Sequence, residues 1–235
     1  ECTTTGVANY LETVAGLNIR HEIQTINKLI NEQTRPMTII ISGAKVSTKI
    51  VLIKKLLAKC DYMILGGGIL NTFLRAKGYE VGKSLIEEGY VSDAVKILES
   101  DFAKKIIFPS DFSCATEDGI ANVELSRIST NDSIYDLGSA SINEITNIVR
   151  KSVSVFWNGP LGYVEKKPFN KGTEELAKAI ADHNCFSIVG GGDTLPIIEN
   201  LKLHNRYNCL STGGGSLLTY LEGGSLPIID KLNLR

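Results

Sequence analysis

Met37-Thr-Ile-Ile-Ile-Ser42, Gly43-Ala-Lys-Val-Ser-Thr-Lys49, Ile50-Val-Leu-Ile-Lys-Lys-Leu-Leu57 and Tyr62-Met-Ile-Leu-Gly-Gly-Gly68 form the stretch that decides the fold. Its first and last pieces are nearly continuous in aliphatic residues rather than alternating with polar ones. That pattern suits strands covered on both faces, as in a parallel sheet. Between them Val46, Ile50, Ile53 and Leu57 share one helical face, while Lys54, Lys55 and Lys59 lie elsewhere.

Outward from this stretch the alternation repeats. Apolar runs recur at 105–110, 133–137, 153–157 and 186–190, and helix-period segments at 71–77, 92–100, 142–151, 173–183 and 194–201. Alternation of this kind predicts an α/β domain in three layers, with a mainly parallel central sheet of about six strands and right-handed crossovers. Ligands of such sheets bind beyond the carboxyl ends of the strands, so the loops after the apolar runs are the places to search. The polar stretch 115–132 reads as an excursion or long loop, and there is no internal repeat.

With 235 residues and a formal net charge of -1, the chain is long enough for one sizeable core and has no overall field for nucleic acid or an anionic membrane. No apolar run reaches membrane-spanning length, and no signal peptide is visible. Cys2, Cys60, Cys114, Cys185 and Cys209 are scattered, which suits reduced thiols and a cytoplasmic location better than disulfides or zinc. The start at Glu1, without Met, suggests a fragment, and a monomer is expected.

Three loops are rich in glycine: Gly66-Gly67-Gly68, Gly190-Gly191-Gly192-Asp193-Thr194 and Ser211-Thr212-Gly213-Gly214-Gly215. One such turn is explained about equally well by tight packing. Three along one sheet edge suggest a long ligand with several phosphates, met by free amides. Lys45 and Lys49, four apart at the expected start of a helix, should point to one side. Cations there oppose the helix dipole unless an anion compensates, though two solvated lysines would look the same. Asp193 is the candidate metal ligand, with simple N-capping as the alternative. Glu165, beyond the turn Trp157-Asn158-Gly159-Pro160, is a candidate for ribose hydroxyls.

Other features lead nowhere. Gly78-Tyr-Glu-Val-Gly-Lys-Ser84 imitates a phosphate-binding Walker loop, but the glycines stand one residue too close and the segment follows a helical pattern. His21, His183 and His204 show no ligand spacing, and no dinucleotide fingerprint occurs.

Taken together, Gly43-Ala-Lys-Val-Ser-Thr-Lys49, Gly66-Gly-Gly-Ile-Leu-Asn-Thr-Phe73, Gly78–Leu85, Trp157-Asn-Gly-Pro-Leu-Gly162, Gly190-Gly-Gly-Asp-Thr194 and Ser211-Thr-Gly-Gly-Gly215 resemble, in order and spacing, the C-terminal domain of phosphoglycerate kinases. The resemblance covers nearly the whole chain. It implies a Rossmann-like domain and a glycolytic kinase that transfers a phosphoryl group reversibly between 1,3-bisphosphoglycerate plus ADP and 3-phosphoglycerate plus ATP, with Mg²⁺. Residues 1–20 would be a hinge or lead-in, 21–224 the nucleotide-binding domain, and 225–235 a tail packing toward an N-terminal domain that binds the glycerate. By the same resemblance Lys45 follows the transferring phosphoryl group and Lys49 meets the nucleotide phosphates. Gly43, Ala44, Gly67, Leu85 and Pro160 wall the adenine and ribose cleft, Asn158 lies near the phosphates and Glu165 at the ribose. Asp193 binds Mg²⁺ beside Thr194 and the amides of Gly191 and Gly192, and Gly213, Gly214 and Gly215 meet the substrate phosphate. Ser42 stands where a glycine is common, Thr48 where many members have Asp, Tyr163-Val164 in place of Val-Phe, and Thr219 where an acid is usual.

On this reading the chain alone binds nucleotide but is near-inactive, and no nucleic acid or membrane partner is expected. A non-catalytic nucleotide-binding module left by truncation is the alternative, and Lys45 and Asp193 argue against long decay. A dinucleotide-dependent dehydrogenase is a weaker third reading.

Overall fold

The computed structural model of the chain describes residues 5–32 and 34–232. A lead-in segment reaches helix α1 (Leu17–Asn31). There follow β1 (Met37–Ser42), α2 (Ile50–Leu57), β2 (Tyr62–Gly66), α3 (Gly67–Ala76), α4 (Val91–Leu98) and β3 (Ile106–Ile107). The middle of the chain forms β4 (Asp111–Thr116), β5 (Gly119–Glu124), β6 (Ser133–Leu137) and α5 (Ser139–Val149). The last part contains β7 (Ser154–Asn158), α6 (Lys171–His183), β8 (Phe186–Gly190), α7 (Leu195–Asn200), β9 (Cys209–Ser211), α8 (Gly215–Leu221) and α9 (Pro227–Lys231).

The main sheet has six strands, all paired in parallel, in the order β3-β2-β1-β7-β8-β9. Every residue of β1 and β7 is buried. Successive side chains of a strand point to opposite faces, so both faces must be covered, and helices flank the sheet as the continuous apolar runs predict. Trp157, Phe156, Ile40, Ile53 and Met63 lie in this core, each at most 1% exposed. The chain first winds from β1 outward to β3, then returns to β7 beside β1 and winds the other way. The order therefore reverses between β1 and β7, the doubly wound arrangement whose reversal point is a crevice.

Three expectations are corrected. Residues 133–137 form a strand, but in a second, antiparallel sheet of order β5-β4-β6, and β9 takes the sixth place in the main sheet. A short apolar run does not encode which sheet it joins. The stretch 115–132 is largely structured: β4 and β5 pair as a hairpin closed by Glu117-Asp118. It reads as a loop because β5 is exposed almost throughout. The run 105–110 contributes only two paired residues.

Helix α1 begins inside the segment read as a lead-in. Helix α9, in the segment read as a tail, buries Ile229, and Lys231 Nζ donates to Asn9 Oδ1 at 2.5 Å. No described helix is long and apolar enough to cross a membrane.

Candidate functional site

The strand register sets the site. It pairs Ser42 with Gly66, Ile41 with Asn158, Asn158 with Gly190 and Gly190 with Ser211, so all the glycine loops leave from one edge. Where β1 and β7 meet, a cleft of about 400 Å³ opens. Its walls include seven residues singled out from sequence: Gly43, Ala44, Gly67, Leu85, Pro160, Glu165 and Asp193. Leu85 is 59% exposed and offers the cleft an apolar face. Gly68 brings the start of α3 so close that an added Cβ would lie 2.3 Å from the Ala44 carbonyl oxygen.

Lys49 and Asn158 do not line this cleft; Lys49 lies beside it, its Nζ 3.4 Å from where a Cβ on Gly43 would stand. Its Nζ donates to the Ser42 carbonyl and, at 2.6 Å, to Asn158 Oδ1, spanning the ends of β1 and β7. Burial pushes this ammonium down to about 8, and the negative charge of Asp193 works against that shift. Ser42 is itself fully buried, and its hydroxyl donates to the Pro160 carbonyl at 2.5 Å. The serine that replaces a common glycine thus ties the β1 loop to the β7 loop.

Lys45 and Lys49 do not share a helical face. Lys45 is exposed, in extended backbone ahead of a short 3₁₀ turn, Val46–Thr48. Lys49 interrupts that turn from α2 and is drawn inward by its two acceptors. An anion does compensate, but it belongs to the chain: Glu87 Oε2 accepts the Ser47 N–H at 2.8 Å. The Ser47 amide and hydroxyl, then the Val46 amide and the Lys45 charge, hold this carboxyl below its ordinary value.

Asp193 is exposed in the turn before α7 and does not cap the helix; Thr194 occupies the N-cap position. Thr194 is fully buried, and its hydroxyl has no hydrogen-bond partner among the described residues. Gly191, at φ +115°, lies against Asn158 and Gly159, and Gly192 is exposed with open space where a Cβ would be. No group of three His, Cys, Asp or Glu able to cage a metal occurs among the described residues. A lone carboxylate beside an unpartnered hydroxyl nevertheless fits Mg²⁺, which keeps most of its waters and shares phosphate oxygens with its ligand.

The third glycine loop lies elsewhere. Gly213 donates from its amide to Ser211 Oγ at 3.2 Å, while that hydroxyl donates to Glu22. It borders a separate, mostly apolar hollow of about 270 Å³ beside α1, α8 and α9. A Cβ on Gly214 or Gly215 would meet nothing within 4 Å. These three glycines share the sheet edge but not the cleft.

Sequence reasoning missed Asn71, Ile134, Tyr135, Gly162 and Tyr163 as wall residues. Ile134 and Tyr135 arrive on the antiparallel sheet, so only the strand pairing reveals them. Ser84 proves structural, its hydroxyl accepting the Ile134 N–H at 2.8 Å, in keeping with rejection of the Walker-like segment. His183 Nε2 lies 2.9 Å from the Ser152 carbonyl oxygen, whereas His21 and His204 are exposed. Burial raises the thiols of Cys60 and Cys114 to about 12 and those of Cys185 and Cys209 to about 11, which makes them poor nucleophiles. Cys2 lies outside the described residues.

Comparison with known proteins decides the family, because the family model described as phosphoglycerate kinase matches residues 1–224. The chain belongs to the phosphoglycerate kinase family. A phosphoglycerate kinase of Baumannia cicadellinicola subsp. Homalodisca coagulata is 41% identical over 233 residues, 98% of this chain and 59% of the relative. Another, from Buchnera aphidicola subsp. Baizongia pistaciae (strain Bp), is 42% identical over 237 residues, again 59% of the relative's length. Among solved structures, phosphoglycerate kinase from Coxiella burnetii superposes with a TM-score of 0.91 at 36% identity, covering 98% of this chain and 61% of that one. The enzyme from Pyrococcus horikoshii OT3 gives 0.89 at 28% identity, covering 99% and 60%. The chain thus spans about three fifths of the phosphoglycerate kinases it matches.

Proposed function

We propose that this chain supplies the Mg-ADP/ATP side of reversible phosphoryl transfer between 1,3-bisphosphoglycerate and ADP. On this reading residues 21–224 are the nucleotide-binding domain, and the glycerate is held mainly by a domain outside the chain. The observation that carries the reading is a half-buried lysine, bonded to the ends of β1 and β7 and set beside a glycine-walled cleft, where the strand order reverses. Such a crevice receives nucleotides in doubly wound sheets.

Phosphoryl transfer asks for alignment and charge stabilisation rather than a protein nucleophile. Gly43, Ala44, Gly67, Leu85 and Pro160 would receive the base and ribose, with Glu165 accepting ribose hydroxyls. Lys49 and Asn158 would meet the phosphates, joined by the amides of Gly191 and Gly192 and by Thr194. Lys45, on its long exposed stem, would accompany the phosphoryl group in transit. Asp193 would hold Mg²⁺, whose charge would neutralise the phosphate oxygens. Gly213, Gly214 and Gly215 lie outside the cleft and would meet the substrate phosphate only when a second domain closes over the sheet edge. The transfer itself breaks the acyl-phosphate P–O bond and forms a P–O bond to the terminal ADP oxygen, so no oxidant or reductant is needed. The natural setting would be a cytoplasmic monomer.

Calorimetric titration of the chain with ADP, with and without Mg²⁺, tests the proposal. Binding should require the metal for full affinity and weaken in Asp193→Asn. Absence of binding by the unaltered chain would refute it.

A further inference from the structure

Glu87 stands outside every motif discussed so far, yet it joins two parts of the cleft. Its carboxylate accepts the Ser47 N–H at 2.8 Å. Ser47 belongs to the turn that follows Lys45, and the residue at the head of that turn provides no side-chain cap. The free amides of a helical start are normally a place for an anion. Here the anion is built in: Glu87 takes the Ser47 amide that an outside anion would otherwise meet.

The main chain of Glu87 is fixed as well. Its N–H donates to Thr72 Oγ1 at 3.1 Å, and that hydroxyl donates to the Gly68 carbonyl at 2.8 Å. Two residues earlier, the Leu85 carbonyl accepts from Asn71 Nδ2 at 3.1 Å. One short segment, anchored twice on α3, therefore presents Leu85 to the cleft and Glu87 to the lysine loop.

We propose that Glu87 is the positioning residue for Lys45, holding the loop from which that lysine reaches the transferred phosphoryl group. The inference rests on the nucleotide reading given above. A lysine side chain has a flexible four-carbon stem, so the protein controls its reach chiefly by fixing its backbone. A small displacement of that anchor moves the ammonium away from an aligned phosphoryl group. The same carboxylate occupies the Ser47 amide, so incoming phosphates are directed toward Lys49 and the Gly191 loop. This start of a helix is thereby unlike a P-loop, where the amides themselves cradle the phosphate.

The test compares ADP and ATP binding, each with Mg²⁺, for the unaltered chain, Glu87→Ala and Glu87→Gln. Amide hydrogen exchange at Ser47 is followed in parallel. In Glu87→Ala, Ser47 exchange should accelerate and ATP should bind about tenfold more weakly, while ADP, which lacks the terminal phosphoryl group, stays within about twofold. Glu87→Gln keeps an acceptor oxygen and should recover most of the loss. Equal weakening of both nucleotides, or of neither, would overturn the proposal, as would unchanged Ser47 exchange in Glu87→Ala. If the unaltered chain binds neither nucleotide, the nucleotide reading itself falls and this inference with it. If it binds both and only the variant pattern fails, the assignment of Glu87 alone is lost.

Discussion

Lys49 keeps a positive charge in a half-buried position. It is tolerated because two oxygens, the Ser42 carbonyl and Asn158 Oδ1, accept from it, yet burial still brings its proton loss down to about pH 8. In the unfolded chain an ordinary lysine titrates near 10.4. Between these values the unfolded state carries more protons, so this residue's contribution to stability rises with pH across that window. Nucleotide phosphates beside it should restore the proton. ADP affinity is accordingly expected to fall as pH rises through about 8, and binding near that pH should take up a proton. Calorimetry in buffers of different ionisation enthalpy measures the uptake. Lys49→Met should abolish it and weaken ADP about ten- to a hundredfold, the worth of a hydrogen bond to a charged group. Ser42 makes a different prediction. Reverting it to the commoner glycine removes the hydroxyl that reaches Pro160, so Ser42→Gly should cost about 1 kcal/mol in denaturant unfolding.

At the scale of elements, helix starts in this domain are held from a distance. No described helix is capped by the side chain of its own N-cap residue. Asp111 on β4 accepts from the Ser141 amide at 2.7 Å and from the Ala140 amide at 3.1 Å, at the head of α5. Asp136 on β6 accepts the Gly172 N–H at 2.8 Å, at the head of α6. Glu87 does the same for the turn before α2. This explains what was legible. Strands of the main sheet could be read because double-sided burial writes itself as continuous Ile, Val and Leu. The cleft glycines and Asp193 could be read because backbone proximity and charge constrain residue type locally. Glu87, Asn71 and Tyr135 could not, since their roles arise from pairings between separate segments, and the exposed strand β5 carries only Ile120, Ala121 and Val123, too short an apolar pattern to announce a strand.

Two outcomes follow at this scale. Burial would raise the Asp111 carboxyl, but hydrogen bonds from Ser141, Asn122 and Ala140 outweigh it and leave it below its ordinary value. Its stabilisation is therefore full above the unfolded-state value near 3.9 and is lost as pH falls through the lower folded value. Asp111→Ala should cost about 2–3 kcal/mol at pH 7 by denaturant unfolding, with a smaller difference from the unaltered chain in acid. Gly162 is a packing case. An added Cβ would lie 2.3 Å from the Phe169 carbonyl oxygen and 2.4 Å from Asp136 Oδ1. Gly162→Ala should lose about 1–3 kcal/mol and open the cleft wall formed with Tyr163.

For the whole molecule, the reversal of strand order puts the cleft on a seam between two halves of one sheet. A ligand bound there touches both halves and stabilises only the docked arrangement. At a free concentration a hundred times its dissociation constant, Mg-ADP should add about 2.7 kcal/mol. For a domain of this size that raises the melting temperature by about 5–10 °C, readable in a thermal scan. Asp193→Asn should lose the Mg²⁺-dependent part of that rise.

The seam also sets an order of events in time. Lys49 and Asn158 are 109 residues apart along the chain, and Ser42 and Pro160 are 118 apart. Loops of that length close late, after local helices and neighbouring strands have formed. Neither the β1–β2–β3 half nor the β7–β8–β9 half contains the cleft by itself. During refolding from denaturant, affinity for nucleotide should therefore be the last native property to return, trailing the recovery of helical signal.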